Sequence, residues 1–270
     1  ITGQVNGVTN PAYVYDNNGN MTSGAGRTMT WTSFNRVSSV TEGGTTLSYL
    51  YDAEHQRIKQ TNGSNFTYYL TDPLMGFSAE YETTAGGTYI AYLFADGERV
   101  GVRKQTTTPS AITLQGFVHD HLGSVAVVTN SSGVVAQRLA YDAWGRRRQP
   151  NGTEDPSGSI TAPTTRGFTD HEHLPSVDLI NMNARMYDPE IARFVSADPI
   201  IPDPLKSQAL NRYSYVYNNP GSYTDPSGYA NEFLSGGVFP DPVQILIASV
   251  ISFGLDALLS DDKRDPVYYR

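Results

Sequence analysis

A tyrosine–aspartate phrase that recurs along the first 150 or so residues constrains this chain more than any other feature. It reads Y-x-Y-D-x-x-G at residues 13–19 and returns as Y-x-Y-D at 49–52 and Y-D-A-W-G-R at 141–146. A related phrase, W-x-x-F-N-R at residues 31–36, lies midway between the first two copies. Repeats this short cannot each bury an apolar face alone, so they must stack on their neighbours. The phrase therefore predicts one extended, repetitive structure.

The composition indicates that this structure is a β-sheet. The chain has 18 Tyr, 25 Gly and 16 Pro among its 270 residues, and aromatic residues punctuated by turn formers are typical of all-β proteins. A net charge of -8 disfavours general nucleic-acid binding, which needs a basic face. Without any Cys, neither disulfides nor thiol catalysis can operate. Ile1 begins in the middle of the pattern, so we interpret the chain as the C-terminal piece of a longer protein.

Turn signals divide the middle of the chain into hairpins. Residues 66–102 alternate in the manner of strands, with turns predicted at 83–87 and at Asp96-Gly97. A later hairpin is predicted to turn at residues 130–133. Two polar stretches, 104–110 and 149–165, are interpreted as exposed loops because they are rich in Thr, Ser, Gly and Pro.

Two histidine pairs raise the question of a metal site. His119 and His121, like His171 and His173, are spaced to share one face of a strand. Zinc sites show further ligands at recognisable separations, and neither pair has a third ligand nearby. The sequence therefore predicts no metal and no cofactor, and hydrogen-bonding roles for the histidines.

Residues 181–229 hold the densest set of motifs. Tyr213, Tyr215 and Tyr217 alternate with polar residues, which predicts a strand with one buried face. The D-P-S-G phrase at 225–228 predicts a tight turn, since Pro fixes φ and Gly is free to take φ > 0. The composition changes completely after Gly228, so a boundary is predicted there.

The phrases A-R-M-Y-D-P, A-R-F-V-S-A-D-P, N-R-Y-S-Y-V-Y-N-N-P and T-D-P-S-G, in this order, resemble the RHS repeat-associated core domain of polymorphic toxin-type RHS proteins. The recurring tyrosine–aspartate phrase resembles YD repeats. Ala184, Ala192 and Asp170 stand where that family usually has Gly. The resemblance implies an all-β fold, in which a long antiparallel sheet spirals into a hollow shell. It divides the chain into a YD-repeat sheet (1–165), the core domain (166–229) and a variable C-terminal segment (230–270).

The resemblance also implies self-cleavage. In many RHS proteins the core domain cuts its own chain just after the D-P-x-G phrase, which here lies between Tyr229 and Ala230. The matching aspartates are Asp198 and Asp225, and Arg185 matches the assisting arginine. Two close carboxylates share a proton, so one can activate water while the other protonates the leaving nitrogen. Taken alone, Asp-Pro pairs are simply turn residues.

The C-terminal segment ends the chain with an apolar run, Val243 to Leu259, followed by charged residues. We predict a short hydrophobic helix there, buried against the shell or a partner, with membrane insertion as the alternative because 17 residues is the lower limit for a span.

Together these features favour a secreted or cell-surface protein whose shell encloses a C-terminal effector and releases it by aspartyl autoproteolysis after Tyr229. Expected partners are the remainder of the shell, the effector as cargo, and secretion-system or immunity proteins, with no nucleic acid. Two alternatives stay open: a non-enzymatic surface or contact protein, and a shell that carries a membrane-active C-terminal segment.

Overall fold

The structure is a computed structural model that describes residues 4–5, 8–9, 12–72, 77–155, 159–201, 205, 207–229 and 232–233. These residues form short strands and four 3₁₀ turns, and they contain no α-helix. The 3₁₀ turns are Thr84–Gly86, Phe168–Asp170, Ser207–Leu210 and Val216–Asn218. The strands are β1 Gln4–Val5, β2 Val8–Thr9, β3 Val14–Tyr15, β4 Met21–Gly24, β5 Arg27–Trp31, β6 Val37–Glu42, β7 Thr45–Tyr51, β8 Arg57–Asn62, β9 Asn65–Asp72, β10 Phe77–Glu82, β11 Thr88–Ala95, β12 Glu98–Thr107, β13 Ser110–His119, β14 Val125–Thr129, β15 Val135–Arg138, β16 Ala140–Tyr141, β17 Arg147–Arg148, β18 Glu172–Leu174, β19 Leu179–Met182, β20 Arg185–Asp188, β21 Arg193–Phe194, β22 Tyr223–Thr224 and β23 Glu232–Phe233.

The predicted antiparallel sheet is confirmed. Strands β3 to β15 pair consecutively into one 13-stranded antiparallel meander. Among the described residues its outermost strands, β3 and β15, pair with no further strand, so the sheet is open. Strands β18 to β21 form a separate four-stranded sheet, and β22 pairs with β23.

The recurring aspartate is the residue that builds the hairpin turns. The Asp16 carboxylate accepts hydrogen bonds from the backbone N–H groups of Asn18, at 2.9 Å, and Asn20, at 2.8 Å. Gly19 then takes φ +80°, a left-handed conformation that a residue without Cβ adopts at low cost. The same side-chain-capped turn recurs at Asp52, Asp120, Asn130 and Asp142.

One face of the large sheet is covered by the small one. Met29, Val40 and Leu47 on strands β5 to β7 pack against Leu179 and Met186 of the four-stranded sheet. On the other face, side chains such as Leu50 are exposed. The alternation of strand side chains thus places apolar groups of the repeats under the small sheet.

Ion pairs with little or no exposure to solvent fasten the two sheets together. Arg27 on β5 donates to Asp188 at the end of β20, and both side chains are fully buried. Arg57 on β8 pairs with buried Glu172 on β18, which also accepts a hydrogen bond from Tyr69 at 2.9 Å. The repeat sheet therefore fixes the position of the strands that carry RHS-like phrases of residues 166–229.

Two sequence-based expectations were wrong. Residues 104–110 are not a loop, because β12 and β13 continue through them and leave a two-residue turn between Thr107 and Ser110. The loop predicted over 149–165 agrees with the described residues 149–155 and 159–165, which are mostly exposed or half-buried, with Thr164 as a buried exception. Tyr213 to Tyr217 do not form a strand: the backbone turns left-handed at Val216 and Tyr217, with φ of 43° and 55°.

The predicted helix at Val243 to Leu259 lies outside the described residues. Within the part of the chain that is described, no helix has the length and apolar character needed to cross a membrane.

Candidate active site

Three separate elements bring Arg185, Asp198 and Asp225 to one point. Arg185 opens β20, Asp198 follows β21, and Asp225 follows β22. One terminal nitrogen of Arg185, Nη2, lies 2.9 Å from Oδ2 of Asp198 and 3.3 Å from Oδ2 of Asp225. The two carboxylates predicted from the sequence thus meet on a single guanidinium group, although 27 residues separate them along the chain.

The site is buried. Asp225 is 0% exposed, Arg185 6% and Asp198 8%. Burial lowers the pKa of Arg185, against the opposing effect of the two carboxylates. The guanidinium also lies over the ring of Phe194, with its central carbon 3.6 Å from the ring centre. This stacking and the two ion pairs fix the orientation of the side chain.

The D-P-S-G turn positions the second aspartate. Oδ1 of Asp225 accepts a hydrogen bond from the Gly228 N–H at 2.8 Å, while Nε of Arg185 donates to the Gly228 carbonyl. Gly228 has φ +77°, and a Cβ atom there would lie 2.0 Å from the Met182 carbonyl oxygen. Only glycine therefore fits this position without displacing the turn or β19.

The first aspartate is held by its own backbone neighbours. Oδ1 of Asp198 accepts from the Ile200 N–H at 2.9 Å, which is an Asx turn. The Asp198 N–H donates to the Arg212 carbonyl at 2.8 Å, and that carbonyl also accepts from Nη1 of Arg185 at 3.3 Å. These contacts leave Oδ2 of Asp198 directed at Arg185.

The backbone that follows the site leads directly to the predicted cleavage bond. The Tyr229 N–H donates to Oγ of Ser227 at 3.1 Å, and the Arg36 guanidinium lies over the Tyr229 ring at 5.4 Å. Ala230 lies outside the described residues. The chain then returns at β23, where Phe233 pairs with Tyr223 and Glu232 with Thr224. Tyr229 thus lies one residue after Gly228, whose carbonyl binds Arg185.

The histidines of the G-F-T-D-H-E-H phrase contribute contacts that sequence reasoning did not assign. Nε2 of His171 lies 3.0 Å from the Asp225 carbonyl oxygen, and Nε2 of His173 accepts from the Phe168 N–H at 3.0 Å. Burial lowers the pKa of His171 to about 4 and holds that of His173 well below its ordinary value. In the portion that the structure covers, no three His, Asp or Glu side chains cluster as metal ligands do.

These two histidines predict that the folded chain is acid-sensitive. Both are neutral in the folded state, whereas unfolded histidine binds a proton near pH 6.5. As the pH falls below 6.5 the unfolded state takes up more protons, so folding stability is lost in that window and not above it. Lowering the pH from 7.5 to 4.5 should reduce the free energy of unfolding by about 2 to 3 kcal/mol through His171 alone. Urea unfolding at the two pH values tests this, and a His171→Gln chain that keeps the full pH dependence would contradict it.

The backbone conformation at Ala192 and Asp170 is one that favours glycine, the residue that RHS proteins usually have at these two positions. Ala192 has φ 55° and Asp170 has φ 62°, both in the left-handed region that favours glycine. Non-glycine residues in this region carry a conformational cost, which the surrounding contacts must offset.

An open meander with aspartate-capped turns, covered by a small sheet that carries the RHS phrases, defines a β-shell protein of the YD-repeat class. The chain belongs to the family described as Teneurin YD-shell, which matches residues 4–221. The RHS and YD-repeat resemblance drawn from the sequence is thereby confirmed.

Curated relatives include toxins. The chain is 27% identical over 234 residues to the tRNA nuclease WapA of Bacillus subtilis, covering 85% of this chain and 10% of that protein. It is 31% identical over 126 residues to double-stranded DNA deaminase toxin A of Burkholderia cenocepacia, covering 44% and 8% respectively. The chain thus spans about a tenth of the length of these relatives.

Solved structures share the fold. A crystal structure of TcdB2-TccC3 superposes with a TM-score of 0.61 at 17% identity, over 79% of this chain and 11% of that one. The Photorhabdus luminescens Tc holotoxin pore gives a TM-score of 0.59 at 16% identity, over 83% and 11%. At this identity the likeness concerns the fold alone.

Proposed function

We propose that this chain is the toxin-end segment of a secreted or cell-surface RHS-type shell, and that it cuts its own backbone between Tyr229 and Ala230. The observation that carries the proposal is the convergence of Asp198 and Asp225 on Arg185 beside the turn that ends at Tyr229. Residues 1–165 would be shell wall, 166–229 the cutting core, and 230–270 the released segment.

Autoproteolysis assigns different roles to the two carboxylates. Nη2 of Arg185 contacts one carboxylate oxygen of each acid, so both groups lie beside the same positive charge. The reaction requires the pair to hold one proton, so that one carboxyl group is the base and the other is the acid, as in an aspartyl protease.

The reaction that follows is a single hydrolysis. The ionised carboxylate takes a proton from water as the water oxygen bonds to the Tyr229 carbonyl carbon. The carbon–nitrogen bond breaks, and the other carboxyl group gives its proton to the Ala230 nitrogen. The products are a Tyr229 carboxyl and an Ala230 amine, and the pair again holds one proton. Folding itself supplies the proximity, because substrate and catalyst belong to one chain.

The cargo would be the 230–270 segment together with whatever follows it in the parent protein. A cut after Tyr229 would remove the covalent link between the shell and this segment. The remainder of the shell is the expected partner, and secretion-system and immunity proteins are further partners that the proposal implies.

Mass spectrometry of the folded 270-residue chain tests the proposal. We expect one fragment that ends at Tyr229 and one that begins at Ala230. When the chain folds in ¹⁸O-labelled water, the new Tyr229 carboxyl should gain one heavy oxygen atom. An intact chain after complete folding would contradict autoproteolysis and favour a non-enzymatic surface protein.

A further inference from the structure

We propose that His171 is a positioning residue of this site: it holds the backbone of Asp225 so that the second carboxylate meets Arg185. The inference rests on the proposed function and concerns a residue outside its Asp–Asp–Arg set. Its basis is the buried contact between Nε2 of His171 and the Asp225 carbonyl oxygen, at 3.0 Å across 54 residues of sequence.

The contact fixes the proton on one ring nitrogen. A carbonyl oxygen can only accept, so Nε2 of His171 must be the donor. His171 is 5% exposed, so water cannot easily replace the ring as the donor to the Asp225 carbonyl. The charged groups facing it are Asp170, Arg166 and Arg99, and the two arginines, like burial, disfavour an imidazolium. A neutral imidazole with Nε2–H is thus the form that the surroundings select.

The residues on both sides of His171 are anchored to the repeat sheet. Asp170 pairs with Arg99 of β12, and Glu172 pairs with Arg57 of β8. The backbone N–H of Phe168, at the start of the 3₁₀ turn, donates a hydrogen bond to Nε2 of His173. The ring of His171 therefore projects from a rigid support that the 13-stranded sheet provides.

The contact acts on the catalytic turn through the backbone. The carbonyl that His171 binds belongs to the Asp225-Pro226 peptide, which precedes the Gly228 N–H bound by Oδ1 of Asp225. Fixing this peptide plane fixes the direction in which the Asp225 side chain leaves the backbone. His171 thereby couples the repeat sheet to the position of one carboxylate, without touching the bond to be cut.

Two variants separate positioning from packing. His171→Leu keeps an apolar side chain of similar bulk but removes the donor, and we expect cleavage after Tyr229 to slow by about 10- to 100-fold. His171→Gln keeps an N–H donor, and cleavage should recover to within a few-fold of the unaltered chain. His121→Leu, an exposed histidine of the same chain, is the matched control and should change nothing.

A second readout does not need cleavage. In an Asp198→Asn background, which keeps the chain whole, hydrogen exchange of the Gly228 amide reports whether the Asp225 turn is held. We expect the Gly228 amide to exchange faster in the chain with His171→Leu than in the chain that keeps His171 or the chain with His171→Gln. Equal exchange and equal cleavage in all three chains would overturn the role of His171.

The outcomes distinguish the two proposals. If the chain with both aspartates stays whole, the proposed autoproteolysis fails, while the exchange measurement still decides whether His171 holds the turn. If His171→Leu does not fold, ¹⁵N NMR of the His171 ring in the unaltered chain shows which ring nitrogen carries the proton. A proton on Nε2 supports the contact with the Asp225 carbonyl, and a proton on Nδ1 alone contradicts it.

Discussion

Chains that carry Asp198→Asn or Asp225→Asn are expected to stay whole under conditions in which the unaltered chain is cut after Tyr229. Asparagine has nearly the same shape as aspartate but can neither take a proton from water nor give one to the leaving nitrogen. A positioned general acid or base contributes about 10²- to 10⁴-fold to a rate, so each single change should slow cleavage by at least about 100-fold. Fragment yield against time, measured by intact mass, gives the rates.

Asp203→Asn is the matched control for this prediction. Asp203 belongs to a further Asp-Pro pair, five residues after Asp198, and it matches neither aspartate of the cleavage motif. That chain should be cut at the unaltered rate. Equal cleavage of the Asp198→Asn chain would show that this carboxylate plays no part, and would leave its contact with Arg185 as a structural ion pair.

Arg27→Met is expected to cost about 3 to 5 kcal/mol of folding stability, because it leaves Asp188 as an uncompensated buried charge. Both side chains of this pair are fully buried, and Arg27 also binds Glu42 at 3.0 Å. Since Asp188 ends β20, which begins at Arg185, the loss should also loosen the support of the active site. The free energy of unfolding in urea measures the effect.

A more exposed pair provides the comparison. Arg146 and Glu190 lie 2.8 Å apart, and their side chains are 36% and 17% exposed. Arg146→Met should cost no more than about 1 kcal/mol, because water and salt reach this pair and screen it. If the two variants lose equal stability, the buried pair does not fasten the sheets as described.

Motifs with a local physical cause were predictable from the sequence. Asp16 and its counterparts cap hairpin turns through contacts only two and four residues away, so the phrase alone indicates the turn. The D-P-S-G turn at residues 225–228 is equally local, since the Gly228 N–H donates a hydrogen bond to the Asp225 carboxylate three residues earlier. The recurring phrase and the composition predicted only a repetitive β-sheet, whereas the long antiparallel sheet was implied by the family resemblance.

Features that depend on distant partners were not predictable in this way. The alternation of Tyr213, Tyr215 and Tyr217 reads as a strand, but Tyr215 is buried in an aromatic cluster with Tyr187, and the backbone turns left-handed immediately after it. Tertiary packing has overridden the local pattern there.

Polar contacts between residues far apart in the sequence could not be predicted for the same reason. Arg27 and Asp188 are 161 residues apart, and the sequence around each residue does not indicate that the two form an ion pair. His171 was interpreted as a hydrogen-bonding histidine, yet its partner, the Asp225 carbonyl, is a backbone group without a sequence signature. The two aspartates and Arg185 were found only because a family resemblance linked them.

The measurement that tests the central claim most directly is the mass of the chain during refolding from denaturant. If folding brings Asp198 and Asp225 together beside the bond after Tyr229, the unfolded chain is whole and the two fragments appear only as structure forms. Their rate of appearance should not change with protein concentration, because the reaction is intramolecular. A chain that stays whole once folded, or a cleavage rate that rises with concentration, would contradict the account.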